Sequence, residues 1–358
     1  MVNLNNLSAH EKYDLSGMID HLRRFPVQLL DGWRKGHSLR LPAVCKQVDK
    51  VVIAGMGGSA IGGEVAAGLL AMESAVPLWV HRDFGLPGFV DAKTLAIAVS
   101  YSGNTKETLS AYDALAKTPA IKVVLTSGGR LAQLAWEQNV PVVVVDYQAP
   151  PRAAFAYMFG ALVGILSRAG ISRLKTADLQ NTAAALERMS GELDLPVPLK
   201  SNIARQLAED LCGKIPVIYG AGALAGVARR WKTQFNENSK SWAFFEVFPE
   251  LVHNAIAAYS VPPWAKERLF AVLLQAPFLN PRVMEQYDAV VNLLSADKIP
   301  HYVIGAEGDS ALTQVLSTVM LGDFTSYYLA ILNKVDPTPL PAVDYVKQYM
   351  AKLPEKKG

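Results

Sequence analysis

The chain has 358 residues, of which 51% are hydrophobic and 19% are charged, and 35 Lys and Arg against 32 Asp and Glu give a net charge of +3. This length suggests two domains, and the apolar content is sufficient for two packed cores. A charge this close to neutral, without a long basic block, argues against a nucleic-acid partner. The two cysteines, Cys45 and Cys212, are too few and too far apart to suggest a disulfide framework or a zinc site.

The N-terminus and the apolar runs of the sequence indicate neither secretion nor a membrane span. Residues 1–15 lack the charged-then-apolar layout of a signal peptide. The longest apolar run, residues 153–166, is shorter than the roughly 20 residues of a membrane helix and is typical of a buried helix. We therefore expect a cytoplasmic protein that does not use a membrane.

In chain order, residues 1–35 are predicted to form a helical segment that ends near Gly36. From residue 51, short β-branched runs alternate with helical stretches. The predicted strands are VVIAG, PLWVH, TLAIAVS, KVVLTS and VPVVVV, and the predicted helices are AIGGEVAAGLLAM, ETLSAYDALAKT and RLAQLAWEQ. This alternation predicts βαβ units and a parallel sheet that is covered on both faces.

A second α/β series follows a polar segment, residues 171–213, which we interpret as a helical linker. IPVIYG, RLFAVLLQ and HYVIGAEG are predicted strands, and GVARRWKTQFNENSK is a predicted helix. Both series contain a strand that ends in a G-x-G turn, which indicates an internal duplication. We predict an α/β protein with two flavodoxin-like domains, each a parallel sheet flanked by helices. They span residues 36–170 and 214–358, and the second ends in a C-terminal helix.

Three loops that follow predicted strands are rich in glycine and hydroxyl residues. Ligands of open parallel sheets bind beyond the carboxyl ends of the strands. The first loop, GMGGSA at residues 55–60, can bring its backbone close to an anion, but it also fits the dinucleotide pattern G-x-G-x-x-A. The second, SYSGNT at 100–105, places three hydroxyls at a helix start, and the third, TSGGR at 126–130, is similar. A helix cap explains one hydroxyl, whereas three favour binding of a phosphate monoester.

Together these loops resemble the SIS (sugar isomerase) domain and, more narrowly, the bifunctional phosphoglucose/phosphomannose isomerase family. The resemblance extends from about residue 51 to the end, through GMGGSAIGG, SYSGNTKET, TSGGRLAQLA, APPRAAF, QFNENSK, PELVHN and VDYVKQYM. It implies an enzyme that interconverts glucose 6-phosphate, and also mannose 6-phosphate, with fructose 6-phosphate. The implied route is a cis-enediol intermediate, which requires neither a metal nor a redox cofactor.

The resemblance also implies roles for individual residues. Glu237 matches the family's base, and Arg152 matches the arginine that faces the enediolate. His253 matches a ring-opening histidine that the second subunit of a homodimer supplies, and Lys347 matches a lysine that assists ring opening. The residues that match the substrate's phosphate site are Gly57, Gly58, Ser59, Ser100, Ser102 and Thr105.

The residues alone leave the choice of base and the placement of the arginine open. Glu246 and Glu250 compete with Glu237 as the base, because exposed helices commonly carry glutamates. The two prolines before Arg152 predict that it lies in the first turn of the following helix. A cation there is unfavourable for the helix dipole, so a functional role is favoured.

Three other functions are compatible with parts of the sequence. The first loop could serve an NAD-dependent dehydrogenase, with Asp83 bound to the ribose, but a dinucleotide does not need the hydroxyl-rich loops. A non-catalytic sugar-phosphate sensor usually carries a nucleic-acid-binding module, and the sequence shows no helix-turn-helix segment. An isomerase of another sugar phosphate is a third alternative. Leu340 stands where relatives carry threonine, which puts mannose 6-phosphate in question, although Thr338 lies two residues upstream.

Overall fold

The first half of the protein is a five-stranded parallel sheet covered by helices. The structure, a computed structural model, describes residues 2–352. Three helices open the chain, α1 (Leu7–Tyr13), α2 (Met18–Arg23) and α3 (Phe25–His37). The strands are β1 (Lys50–Ala54), β2 (Leu78–His81), β3 (Thr94–Ser100), β4 (Ile121–Thr126) and β5 (Val142–Val144). The helices of this half that follow are α4 (Gly57–Leu70), α5 (Lys106–Ala116), α6 (Gly129–Glu137) and α7 (Phe155–Arg168).

The second half repeats this arrangement with four strands. Helices α8 (Thr176–Leu193) and α9 (Ile203–Leu211) connect the two halves. The strands are β6 (Ile215–Ala221), β7 (Phe244–Phe248), β8 (Leu269–Gln275) and β9 (His301–Gly305). The helices are α10 (Ala223–Glu237), α11 (Ala265–Arg268), α12 (Pro281–Ala296), α13 (Ala311–Leu332) and α14 (Pro341–Ala351). Short 3-10 helices lie at Ala43–Gln47, Leu199–Ser201, Glu250–His253 and Ala255–Ala258.

The two sheets share one strand order, which confirms the predicted α/β architecture. The first sheet has the order β2-β1-β3-β4-β5 and the second has β7-β6-β8-β9, and all strand pairs are parallel. In each sheet the first strand lies between the second and the third, so the order switches there. The glycines after these first strands, Gly57 and Gly222, have nearly the same left-handed φ of 50° and 51°. Such a switch point is where an open sheet binds its ligand.

Two elements differ from the sequence prediction. Strand β7 was not predicted, because it is a short edge strand whose Phe244 is exposed and whose centre carries Glu246. The N-terminal helical segment is divided rather than continuous. The Asp14 carboxylate interrupts it by accepting hydrogen bonds from the N–H groups of Met18 and Ile19 at 2.7 and 3.0 Å.

Helices α3 and α7 are in backbone contact through two pairs of glycines spaced four residues apart. A Cβ on Gly32 would lie 2.0 Å from the carbonyl oxygen of Tyr157, and one on Gly36 would lie 2.0 Å from that of Ala161. Gly160 and Gly164 face α3 in the same way, at 2.3 and 2.7 Å from its backbone. Only glycine leaves room for this approach, so α3 is an integral part of the first core.

Among residues 2–352, one helix is long and apolar enough to cross a membrane. This helix is α13, and the whole of its most apolar stretch is buried inside the protein. It packs against α8, α9 and α10 and carries the polar residues Ser317, Asp323 and Ser326 in its buried surface. Its apolar length is therefore explained by its central position in the fold.

The α3–α7 contact predicts a large difference between two glycine-to-alanine substitutions. Gly32→Ala is expected to lower the free energy of unfolding by about 1–3 kcal/mol or more, because the new methyl group meets backbone that can yield only if the helices separate. Gly191→Ala, in α8, meets nothing within 4 Å and is expected to raise it by about 0.5–1 kcal/mol. Urea denaturation at one protein concentration measures both, and equal values would contradict the packing argument.

Candidate active site

The first two glycine- and hydroxyl-rich loops meet at the switch point of the first sheet. They follow β1 and β3, which pair directly, with Ala54 opposite Ala98. The Ser59 hydroxyl accepts a hydrogen bond from the Tyr101 N–H at 3.0 Å, which joins the loops. The sequence-predicted phosphate residues are therefore neighbours in space.

The hydroxyls of the second loop do not cap the helix that follows. Thr105 precedes α5 but makes no capping hydrogen bond, and it shares a 3.0 Å hydrogen bond with the Ser100 hydroxyl instead. Ser100 also accepts from the Gly103 N–H at 3.1 Å, and Ser102 accepts from the Asn104 N–H at 3.3 Å. Helix α4 likewise begins without a side-chain cap. The first turns of α4 and α5 thus have no side-chain cap and lie beside these hydroxyls, which is favourable for an anion. We call the two loops, residues 55–60 and 100–105, the anion cradle.

The third loop braces the second. The Ser127 hydroxyl donates to the Tyr101 carbonyl oxygen at 2.5 Å, and the Arg130 N–H donates to Asn104 Oδ1 at 3.0 Å. Gly103 and Gly129 allow the close approach, because a Cβ on Gly103 would lie 1.8 Å from the Gly128 oxygen and one on Gly129 would lie 2.5 Å from the Ser102 oxygen. This loop therefore fixes the shape of the anion cradle from outside.

The packing of α4 against α10 brings the cradle to the second half of the protein. A Cβ on Gly68 would lie 3.0 Å from Ala223, and one on Gly226 would lie 3.1 Å from Glu64, so the helices run antiparallel in close contact. The N-terminal end of α4 consequently lies beside the C-terminal end of α10, which carries Glu237.

Arg152 lies where these two helix ends meet, although not in a helix. The prediction that it occupies the first turn of the next helix is wrong, because α7 begins only at Phe155. The Ala153 N–H donates to the Pro150 oxygen at 2.8 Å, so the proline-rich segment forms a separate turn. The backbone of Arg152 is 3.3 Å from the Cβ position of Gly58, which joins it to the cradle.

The guanidinium of Arg152 is buried, and three of its five N–H groups donate hydrogen bonds. Its Nε donates to Asn238 Oδ1 at 2.7 Å, and its Nη2 donates to the carbonyl oxygens of Pro337 and Thr338 at 2.5 and 2.9 Å. Its Nη1 lies 3.6 Å from Oε2 of Glu237, whose side chain is 31% exposed while that of Arg152 is 4% exposed. A buried cation therefore stands beside a carboxylate that a ligand can reach.

A buried ion pair supports Arg152 from behind. Arg230 donates to Asp323 Oδ2 at 2.6 Å and to the carbonyl oxygen of Arg152 at 3.1 Å, and its guanidinium lies 4.0 Å from the centroid of the Phe155 ring. Burial lowers the pKa of Arg152, the charge of Arg230 lowers it further, and Glu237 opposes the change. The sequence alone did not indicate Arg230 or Asp323, because they lie inside ordinary helical patterns.

Comparison with known proteins identifies the family. Residues 200–350 match the family model for the bacterial phospho-glucose isomerase C-terminal SIS domain. The chain is 35% identical to a bifunctional phosphoglucose/phosphomannose isomerase of Caldicellulosiruptor bescii, over 94% of this chain and 99% of that protein. The chain belongs to the bifunctional phosphoglucose/phosphomannose isomerase family.

The chain is also similar to a protein named for a different activity and to a solved structure of the same fold. A D-glucosamine-6-phosphate 4-epimerase of Sulfolobus acidocaldarius is 35% identical over 62% of this chain and 68% of that protein. The crystal structure of a glucose-6-phosphate isomerase like protein from Thermus thermophilus is similar with a TM-score of 0.64 at 18% identity, over 97% of this chain and 99% of that one. The predicted pair of SIS-type domains is thereby confirmed as the fold.

Within this family member, the structure brings together some of the predicted site residues and leaves others apart. Arg152 and Glu237 are paired, and the cradle residues lie next to them. His253 is exposed at the end of a 3-10 helix, and Lys347 lies in α14, of which no residue is buried. In the described part of the chain, no hydrogen bond or salt bridge joins either side chain to Glu237.

The rival glutamates lie elsewhere. Glu246 is in the edge strand β7, and Glu250 accepts a hydrogen bond from Asn254 Nδ2 at 2.9 Å. Neither forms a salt bridge among residues 2–352. Sequence reasoning also missed Asn238, which joins Arg152 to Ser326, although it lies in the quoted motif QFNENSK. The run of five consecutive polar residues at 236–240, where the helix ends, was the available signal.

The buried Arg230–Asp323 pair predicts non-additive effects on stability. Arg230→Met or Asp323→Leu alone is expected to lower the free energy of unfolding by about 3–5 kcal/mol, because the remaining charge stays buried without a partner. The double variant is expected to lose less than either single variant. Arg282→Met removes the exposed Arg282–Glu285 pair and should cost less than about 1 kcal/mol. Urea denaturation checks the series, and additive losses in the double variant would contradict this reading.

Proposed function

We propose that this protein is an isomerase that interconverts glucose 6-phosphate and mannose 6-phosphate with fructose 6-phosphate. The observation that carries the proposal is the pairing of buried Arg152 with the reachable carboxylate of Glu237, 3.6 Å apart, beside the hydroxyl-rich anion cradle. The family supports the same reaction, since the C. bescii relative is a bifunctional phosphoglucose/phosphomannose isomerase. The isomerisation needs a base, a cation and a binding site for the phosphate. Glu237, Arg152 and the anion cradle can provide them.

In the proposed mechanism the cradle binds the phosphate of the substrate and the reaction takes place near Glu237. The phosphate would be held by Gly57, Gly58, Ser59, Ser100, Ser102 and Thr105. Glu237 removes the proton from C2 of the open-chain aldose and returns it to C1, through a cis-enediol intermediate. Arg152 faces the oxygen that becomes negative, in a buried setting where a charge interaction is stronger than in water.

We further propose that the working enzyme is a homodimer in which His253 and Lys347 serve ring opening. The exposure of His253 and its separation from Glu237 support a role at the site of the second subunit. Helix α14 supports an interface as well, because its apolar residues Val346 and Tyr349 are each 56% exposed. A helix with such residues gains stability when a neighbour covers them.

The acceptance of mannose 6-phosphate is part of the proposal despite Leu340. Leu340 precedes α14 as its cap residue and is half-buried. Thr338 is closer to Arg152 and Glu237, the reactive pair, since its carbonyl oxygen accepts a hydrogen bond from Arg152. Its hydroxyl is buried without a hydrogen-bond partner among residues 2–352. This hydroxyl supports the interpretation that Thr338 takes the place of the family's threonine.

The domain boundaries and location of the protein remain our proposals. We assign residues 36–170 and 214–358 to the two SIS-type domains, 1–35 to an N-terminal helical segment and 171–213 to a helical linker. We propose that the enzyme is cytoplasmic and that its ligand is a sugar phosphate, in keeping with the proposed function. We propose that it binds neither nucleic acid nor a membrane.

Glu237→Gln is expected to remove nearly all turnover while substrate affinity stays close to wild type. The substitution keeps the size of the side chain and removes the base, whose contribution is about 10²–10⁴-fold. A coupled assay with fructose 6-phosphate and mannose 6-phosphate measures kcat and KM, and glucosamine 6-phosphate tests for the alternative substrate of the epimerase relative. Glu250→Gln is the matched control. A loss below about tenfold for Glu237→Gln would exclude it as the base.

Mixed dimers test the proposed shared site. Glu237→Gln and His253→Ala proteins should each be nearly inactive alone. After subunit exchange, a mixed dimer contains one site with both Glu237 and His253 intact, so part of the activity should return. Differently tagged subunits allow isolation of the mixed dimer. An inactive mixed dimer would exclude the donation of His253 across the interface.

A further inference from the structure

Lys240 is held at the reactive pair by two hydrogen bonds to neutral groups. Its ammonium donates to the carbonyl oxygen of Glu237 at 2.6 Å and to that of Pro337 at 3.1 Å. The residue follows the end of α10 and has a left-handed φ of 56°, which is uncommon for a side chain other than glycine. An ammonium has three donors, so one N–H remains for a ligand.

The same carbonyl oxygen also binds the catalytic candidate Arg152. Nη2 of Arg152 donates to the Pro337 oxygen at 2.5 Å, so two cations converge on one acceptor. Like charges at this range repel each other. In the described part of the chain Lys240 forms no salt bridge that would offset this repulsion, because both of its acceptors are backbone carbonyls. Concentration of positive charge beside a base is the arrangement that favours a developing anion.

We propose that Lys240 is a further catalytic residue, whose ammonium contacts the oxygen of the sugar that becomes negatively charged and stabilises it together with Arg152. This inference rests on the proposed function. Glu237 takes the C2 proton, the C–H electron pair forms the C1–C2 double bond, and the carbonyl electrons move to O1. Return of the proton to C1 and transfer of the O2 hydroxyl proton to O1 complete the ketose. The charge on O1 exists only between these steps.

The surroundings of Lys240 lower the pKa of its ammonium toward neutrality. Burial of the ammonium lowers the pKa of Lys240 to about 8, and Arg152 lowers it as well, whereas Asp336 and Glu237 oppose the change. These groups face it from the turn before α7, the turn before α14 and the end of α10. The cation is therefore present below about pH 8 and is lost as the pH rises through that value. Although the ammonium is partly desolvated, the residue as a whole is exposed, so a ligand can approach it.

The alternative is that Lys240 only caps the carbonyl end of α10, as basic side chains often do. Two five-carbon ligands separate these roles. Arabinonate 5-phosphate carries a carboxylate where the intermediate carries its negative oxygen, and arabinitol 5-phosphate carries a neutral hydroxyl there. A capping lysine affects both ligands equally, whereas a lysine that contacts the anion affects mainly the first.

The test is calorimetric titration of wild type, Lys240→Met and Lys240→Arg with both ligands at pH 7. Lys334→Met is the matched control, because Lys334 is exposed and has the same left-handed conformation, with a φ of 59°. We expect Lys240→Met to lose about tenfold or more in affinity for arabinonate 5-phosphate, less than about twofold for arabinitol 5-phosphate, and Lys334→Met to change neither. Lys240→Arg should retain most of the difference.

The pH dependence of turnover gives the second readout. In wild type, kcat/KM should fall as the pH rises through about 8, and in Lys240→Arg this fall should move to higher pH because arginine stays protonated. Equal losses for both ligands in Lys240→Met, or an unchanged alkaline limb in Lys240→Arg, would overturn the role of Lys240 alone. A wild-type protein that binds neither ligand and isomerises no substrate would overturn the proposed function itself.

Discussion

The close antiparallel packing of α4 and α10 is the contact on which the arrangement of the site depends. Each helix follows the first strand of its own sheet, and the two meet through Gly68 and Gly226 with almost no side chain between them. A separation even one side chain larger would move the anion cradle away from Glu237. Helices α4 and α10 occupy equivalent places in the two halves of the protein. Because they pack antiparallel, the N-terminal end of α4 lies beside the C-terminal end of α10.

The charges at this junction are not those that helix stability alone would favour. Glu237 is an acid at the C-terminal end of α10, where the helix dipole disfavours negative charge. Arg152 is a buried guanidinium whose hydrogen bonds go mainly to uncharged oxygens. Desolvation of such a group costs free energy unless every donor finds an acceptor. The amide oxygen of Asn238 and the carbonyl oxygens of Pro337 and Thr338 offset part of this cost and hold the guanidinium in one orientation, which is the preorganisation that charge stabilisation requires.

The sheets and their loops could be predicted from sequence, whereas the contacts of the reactive pair could not. Buried parallel strands such as β3 are continuous apolar runs with a strong local signal. Arg152, in contrast, bonds to Asn238 and Pro337, which are 86 and 185 residues away in the chain. No local pattern contains such a pairing, and the dipole argument for Arg152 was wrong because the helix begins three residues later. Family resemblance indicated the residues, but only the fold shows what surrounds them.

The division of labour between the two halves gives the proposed mechanism a physical reason. The anion cradle belongs to the first half, the proposed base Glu237 belongs to the second, and Arg152 contacts both. A phosphate bound in the cradle takes no part in the proton transfer, yet its binding free energy can hold the reacting carbons against Glu237. The phosphate's binding free energy can position the sugar against Glu237 only if the distance between the anion cradle and Glu237 is fixed. The close α4–α10 contact fixes that distance. Close glycine contacts are thus as relevant to turnover in this protein as the charged groups that they position.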